Sequence, residues 1–238
     1  MSKLCSAVIA NNSQLRVRLR RQSMNFMAGQ PRSKDINSAE EILEEAKAGR
    51  AFILIDGDGP DNVGAVCIPA QYATRQVVNF MARYARGLIC LALTPQRVRE
   101  LKLSAMALSD ETSPEPSCAL SIKARRGGAS DSPSADRAWT IAVAIDPESR
   151  PEDLASPGHI FPLIAQEGGI LAKAGQAEVA VDVARLAGLN PSGVICEVMD
   201  ETGPIGGLTA LLKFARRHRM KLGTIADLVA YRLRYERG

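Results

Sequence analysis

Apolar and polar positions along this chain follow two different periods. Ile42, Leu43 and Ala46 recur at helical spacing behind Ser38-Ala-Glu-Glu41. That tetrapeptide is a capping box: Ser38 caps the helix and Glu41 stands three residues on. Gly49 closes the helix. Ala51-Phe-Ile-Leu-Ile55 is an apolar run of strand length and predicts a buried strand, as does Gly64-Ala-Val-Cys-Ile68. Between them lies the polar loop Asp56-Gly-Asp-Gly-Pro-Asp-Asn62. Thr74 caps a helix that carries Val77, Val78, Phe80, Met81 and Tyr84 on one side and is expected to end at Gly87. Leu88-Ile-Cys-Leu-Ala-Leu93 predicts another buried strand, followed by a helix from Pro95 to Leu101.

Residues 109–137 are the least regular, with Cys118-Ala-Leu-Ser-Ile-Lys-Ala124 as a strand between two polar stretches. Ala138-Trp-Thr-Ile-Ala-Val-Ala144 fits helix or strand. Ala177 to Ala187 is an amphipathic helix ended by Gly188, Val194 to Met199 a strand and Thr209 to His218 a helix. Leu222-Gly-Thr-Ile225 leads into a last helix from Ala226. This loose alternation predicts an α+β fold, a mixed β-sheet with helices packed on its faces.

Charge changes the picture at one end. Residues 1–34 hold seven Lys/Arg and no Asp/Glu, so the rest of the chain carries a net −3, the overall +4 less those seven. The globular part is therefore not a basic nucleic-acid binder. Arg16-Val-Arg-Leu-Arg-Arg21 fits a basic tail, an added edge strand or an organelle-targeting segment, of which a tail or strand packed on the body is preferred. No apolar run is long enough to span a bilayer. The five cysteines contain no C-x-x-C pair, which argues against a zinc ribbon or a disulfide framework and points to a reducing cytoplasm. Cys90 and Cys196 end apolar runs and read as buried thiols rather than nucleophiles.

Four segments taken together carry a family resemblance. They are Arg83-Tyr-Ala-Arg-Gly-Leu-Ile-Cys-Leu91, Ser156-Pro-Gly-His-Ile-Phe-Pro-Leu163, Gly193-Val-Ile-Cys-Glu-Val-Met199 and Lys221-Leu-Gly-Thr-Ile-Ala-Asp-Leu-Val-Ala-Tyr-Arg232. The chain resembles the 3,4-dihydroxy-2-butanone 4-phosphate synthases of the riboflavin pathway. The resemblance implies a single domain over 37–233, with 1–36 a basic tail or added edge strand and 234–238 a tail. It also implies that Ala138–Ala144 is a helix opening near Ser134, that the protein is a homodimer with sites at the subunit boundary, and that the partner is a small molecule rather than nucleic acid or membrane.

In that family two magnesium ions stabilise the oxyanion of an enediolate derived from ribulose 5-phosphate. Carried over position by position, the metal glutamate falls on Asp61, the arginine before it on Pro60, the next glutamate on Val63 and the following aspartate on Ala65. The second ligand, a histidine, falls on Gln176, and a phosphate arginine on Lys173, a point charge without the bidentate fork. The threonine-rich phosphate segment corresponds to Ala129-Ser-Asp131. Arg83, Arg86, Asp136, Arg137, His159, Glu178 and Glu197 are retained.

Four of these have a structural alternative. His159 fits a hydrogen-bonded histidine near a strand start or an active-site group. Asp136 fits a helix N-terminus and Arg86 a helix end, where their charges are favourable in any case. Glu197 interrupts an apolar strand, where a carboxylate needs a partner or a function, and its pKa is expected to be raised.

The preferred expectation is a repurposed, metal-independent enzyme without cofactor. Glu197, His159 and Asp61 would do acid–base chemistry on a small carbonyl or sugar-derived substrate, held by Arg83, Arg86, Asp136, Arg137, Lys173 and Gln176. One alternative is a non-catalytic homologue that binds or regulates a partner. Another is an authentic synthase, with magnesium, that releases formate.

Overall fold

The computed structural model describes residues 35–56, 63–106, 118–127, 132–200, 203–204 and 207–235; Asp61, the basic start and Ala129-Ser-Asp131 lie outside them. Among the described residues one mixed sheet is built from eight strands. These are β1 (Phe52–Asp56), β2 (Val63–Pro69), β3 (Arg86–Leu93), β4 (Ile122–Ala124), β5 (Leu154–Ile164), β6 (Gly193–Asp200), β7 (Gly203–Pro204) and β8 (Leu222–Thr224). Their order is β4-β5-β3-β6-β2-β1-β8, with β7 paired to β6 off this path. β3–β5 and β1–β8 run parallel, and the other pairs antiparallel.

Strand alternation sends the side chains to two apolar layers. Ile53, Ile55, Val66, Ile68, Leu91, Leu93, Val194 and Cys196 face one layer. It is covered by α2 (Arg75–Phe80), α3 (Pro95–Glu100), α4 (Pro133–Ile145) and α6 (Leu208–His218). Phe52, Leu54, Ala65, Cys67, Ala92 and Ile195 face the other, under α1 (Ala39–Lys47), α5 (Gln176–Leu186) and α7 (Ile225–Tyr235). Helices on both faces explain why the central strands read as unbroken apolar runs. Each fully buried side chain such as Phe52 or Leu54 contributes about 1.5–3 kcal/mol.

Local signals set several boundaries. Ser38 Oγ accepts from Glu41 N, and the Glu41 carboxylate accepts from Ser38 N, so the capping box is formed. Thr74 Oγ1 likewise caps α2 through Val77 N. The ambiguous 138–144 run is helix α4, which begins at Pro133, a residue suited to a first turn.

Three expectations need correction. The helix from Thr74 does not end at Gly87. It passes into a π-helical turn, Met81–Ala85, and Arg86 takes the left-handed conformation at φ 68°. Gly87 serves a different purpose: a Cβ there would lie 2.3 Å from the Glu197 carbonyl oxygen, so only glycine lets β3 approach β6 so closely. The 118–124 run is strand only over Ile122–Ala124, Cys118 making a single bridge to Leu163. Leu222–Thr224 is more than a lead-in: it is an edge strand, parallel to β1.

Among the described residues no helix is long and apolar enough to cross a membrane.

Candidate active site

Glu197 lies near the C-terminal end of β6. Its neighbours Cys196 and Val198 turn into one apolar layer, so Glu197 projects on the α5 face with Ile195. In the β2/β6 ladder its direct partner is Ala65, which is fully buried. Glu197 itself is exposed, which corrects the expectation that an apolar strand would bury it.

Its charge is felt by Cys90, on the neighbouring strand β3. That thiol is pushed up to about 12, first by burial, then by Cys118, Cys196 and Glu197. Cys196 is likewise pushed up to about 12 by burial. Both are therefore protonated at neutral pH and poor nucleophiles, in line with the sequence reading.

His159 lies within β5 rather than at its start. Gly158 fixes it: a Cβ there would meet the Ile122 carbonyl carbon at 2.0 Å, and Gly158 N donates to Ser121 Oγ at 3.1 Å. The His159 Nδ1 atom is buried without a hydrogen-bond partner. Burial above all, then Arg137, lowers its pKa, while Asp136 acts in the opposite sense. Lys123, on β4, adds to the lowering. Asp136 and Arg137 stand in the first turn of α4. The fold thus brings together His159, Asp136 and Arg137, and holds the imidazole neutral at neutral pH. A neutral imidazole accepts a proton at one nitrogen and donates at the other.

A second group surrounds the start of α5. Gln176 is its first residue, half-buried, behind Gly175 at the N-cap. Lys173 Nζ lies 3.8 Å from Glu178 Oε1, and that oxygen accepts from Gln166 N at 3.1 Å. Glu178 is almost wholly buried, and its Oε2 has no hydrogen-bond partner. One turn later the fully buried Asp182 accepts from Ile170 N at 2.9 Å. Two carboxylates four residues apart on one helix therefore grip two amides four residues apart in the preceding segment. Glu178 ties down the segment that carries Lys173.

Arg83, within the π-helical turn, and Arg86, at the start of β3, are both exposed. The Arg83 guanidinium lies over the Tyr84 ring at 5.4 Å.

The donor chemistry for magnesium is thin. Gln176 offers a neutral amide, and the two loop-end positions Val63 and Ala65 offer no oxygen beyond the backbone. No group of three or more His, Cys, Asp or Glu that could hold a metal occurs among the described residues. Of the two carried-over ligand positions, Gln176 is among the described residues and brings an oxygen without charge.

Asp182, Arg185 and Arg232 were missed by sequence reasoning. Arg185 Nη1 lies 3.0 Å from Asp182 Oδ1, and Arg232 Nη1 lies 2.8 Å from Oδ2. The available signal was the pair of acids, Glu178 and Asp182, at i and i+4 on an apolar helix face.

The 3,4-dihydroxy-2-butanone 4-phosphate synthase family model matches residues 40–231. The riboflavin biosynthesis protein RibBA of Aquifex aeolicus is 43% identical over 202 residues, covering 84% of this chain and 50% of that protein. A 3,4-dihydroxy-2-butanone 4-phosphate synthase of Neisseria meningitidis serogroup B is 42% identical over 201 residues, covering 84% and 55%. The chain thus spans about half the length of these curated relatives. A solved synthase in complex with two magnesium ions superposes with a TM-score of 0.76 at 31% identity, covering 84% of this chain and 99% of that one. With a sheet of this order and a family match across nearly all of it, the chain belongs to the 3,4-dihydroxy-2-butanone 4-phosphate synthase family.

Proposed function

We propose that this chain is an enzyme whose reaction is the one its relatives are named for: formation of 3,4-dihydroxy-2-butanone 4-phosphate, with formate, from ribulose 5-phosphate. The observation that carries this reading is the 42–43% identity, over 84% of the chain, to proteins bearing riboflavin-pathway names. It ranks above the repurposed enzyme anticipated from the residues alone.

The retained groups suit proton transfer. Glu197 is accessible and acts as a proton acceptor. Neutral His159 accepts or donates at its ring nitrogens, kept neutral first by burial and then by Arg137, against the opposing charge of Asp136. Lys173, Arg83 and Arg86 supply positive charge for a phosphate. Asp61 and Gln176 are the positions left to a divalent cation, which would supply stabilisation of a developing oxyanion. The catalytic domain covers 37–233, and the protein acts as a homodimer in a reducing cytoplasm.

A second reading keeps the fold and the acid–base pair but changes the substrate. It is favoured by Gln176, Val63 and Ala65, which stand where a magnesium site needs charge. Acid–base catalysis alone supplies roughly 10²–10⁴-fold. A metal-free enzyme of this kind requires a substrate more acidic than ribulose 5-phosphate.

Purified protein incubated with ribulose 5-phosphate and magnesium decides between them. Formate production that is lost in Glu197→Gln supports the first reading. A folded protein that makes no formate supports the second.

A further inference from the structure

We infer that a cavity at the end of the sheet remote from Glu197 is a second binding site, built for the phosphate group of a small phosphorylated molecule. The cavity holds about 280 Å³ and is lined by Thr94, Gln96, Arg99, Gln166, Gly168 and Arg185 among others. Thr94 directly follows the last residue of β3, and Gln166 comes two residues after the end of β5. Glu197 lies beside Gly87 at the other end of β3. Six residues of strand separate the two ends, about 20 Å. The cavity is therefore remote from Glu197, although Gln166 and Asp182 join its wall to the group at the start of α5; the inference does not rest on the function proposed above.

Two arginines, Arg99 and Arg185, outweigh Glu167, the one acid in the lining. Arg185 pairs with Asp182, but Asp182 also pairs with Arg232, so the charge on Arg185 is only partly answered. Arg99 pairs with Glu167 at 3.5 Å, with both side chains largely exposed. An exposed pair of this length is worth little, and an incoming phosphate displaces the carboxylate at small cost. Guanidinium forks match phosphate oxygens better than any other side chain.

The wall opposite is rigid. Gly168 and Gly169 both have positive φ, at 90° and 61°. A Cβ on Gly169 would lie 2.3 Å from Asp182 Oδ2, and the same oxygen accepts from Ile170 N. One buried carboxylate thus fixes both the wall and Arg185, so little ordering remains to be done on binding.

Inorganic phosphate is the probe, titrated into the full chain at constant ionic strength and followed by the amide NMR signals of Gly168 and Gly169. Saturable shifts are expected with a Kd of about 1 mM or tighter, roughly −4 kcal/mol. Acetate at the same concentration should leave these amides unmoved. Arg99→Ala and Gln96→Glu should each weaken binding at least tenfold. Arg185→Ala should do the same, and if it disturbs folding, Arg99→Ala on the surface still carries the test. Phosphate shifts that do not saturate, an equal response to acetate, or unchanged binding in both Arg99→Ala and Gln96→Glu overturns the inference.

Discussion

Ala65 and Glu197 stand directly opposite each other in the β2/β6 ladder, one fully buried and the other exposed. Direct partners across antiparallel strands have Cβ atoms about 4.5–5.5 Å apart. A carboxylate at position 65 would be buried and would face a like charge.

Ala65→Asp is therefore expected to cost roughly 1–3 kcal/mol. Burial and the Glu197 charge both raise the pKa of the new group in the folded state, so the loss grows as pH rises through the carboxylate range. Urea denaturation at pH 4 and pH 8 checks this. If the pair then gathers a divalent cation, magnesium should raise the urea midpoint of Ala65→Asp more than that of the parent protein.

Gly87→Ala tests the close approach of β3 and β6. A Cβ 2.3 Å from the Glu197 carbonyl oxygen forces the strands apart. A loss of about 1–3 kcal/mol is expected, together with a fall in turnover, because the shift moves Glu197. Stability and turnover unchanged within error would contradict the close approach.

Asp182 ties α5 to Ile170 and to Arg185 and Arg232. Asp182→Ala breaks a buried ion-paired cluster and is expected to cost about 3–5 kcal/mol. Arg185→Ala, whose side chain is half exposed, should cost far less. The urea midpoints of the two variants give the comparison.

The pH dependence of stability follows from the two histidines. Burial, first among the causes, lowers the pKa of both His159 and His218. The folded state then binds fewer protons than the unfolded chain, so both contributions are present above the unfolded pKa, about 6.5, and are lost as pH falls below it. His218 packs against Phe80, Tyr84 and Phe214, with ring centroids 4.5–5.1 Å away. The urea midpoint is expected to fall between pH 7 and pH 5, and to fall less in the His159→Asn, His218→Gln double variant. The acids whose pKa is lowered, Glu41, Glu45 and Glu100, act in a more acidic window, below their ordinary value of 4.5.

Much of the scaffold was legible because local rules agreed with the tertiary result. Ser38 and Glu41 announce α1, and the apolar runs at 51–55 and 64–68 announce strands buried on both faces. Arg86 stands at a helix end as read, but Gly87 was misjudged as the terminator because glycine is the usual left-handed residue, a conformation that Arg86 takes instead. Here the glycine is needed one position later, by a contact with β6 that no local pattern contains. Glu197 was misjudged because its neighbours in β6 are apolar, whereas the residue itself is exposed. The acid–base roles proposed for His159 and Glu197 came from family likeness, whereas the grouping of His159 with Asp136 and Arg137 required the fold. Asp61 lies outside the described residues, so its part stays with the proposal.

Formate release from ribulose 5-phosphate is the most direct measurement, followed by proton NMR with and without magnesium. Formate and the four-carbon phosphate are expected in equal amounts, with Glu197→Gln and His159→Asn each slower by about 10²–10⁴-fold. Absence of formate from folded protein at saturating magnesium would contradict the synthase assignment and leave the metal-independent enzyme as the reading to pursue.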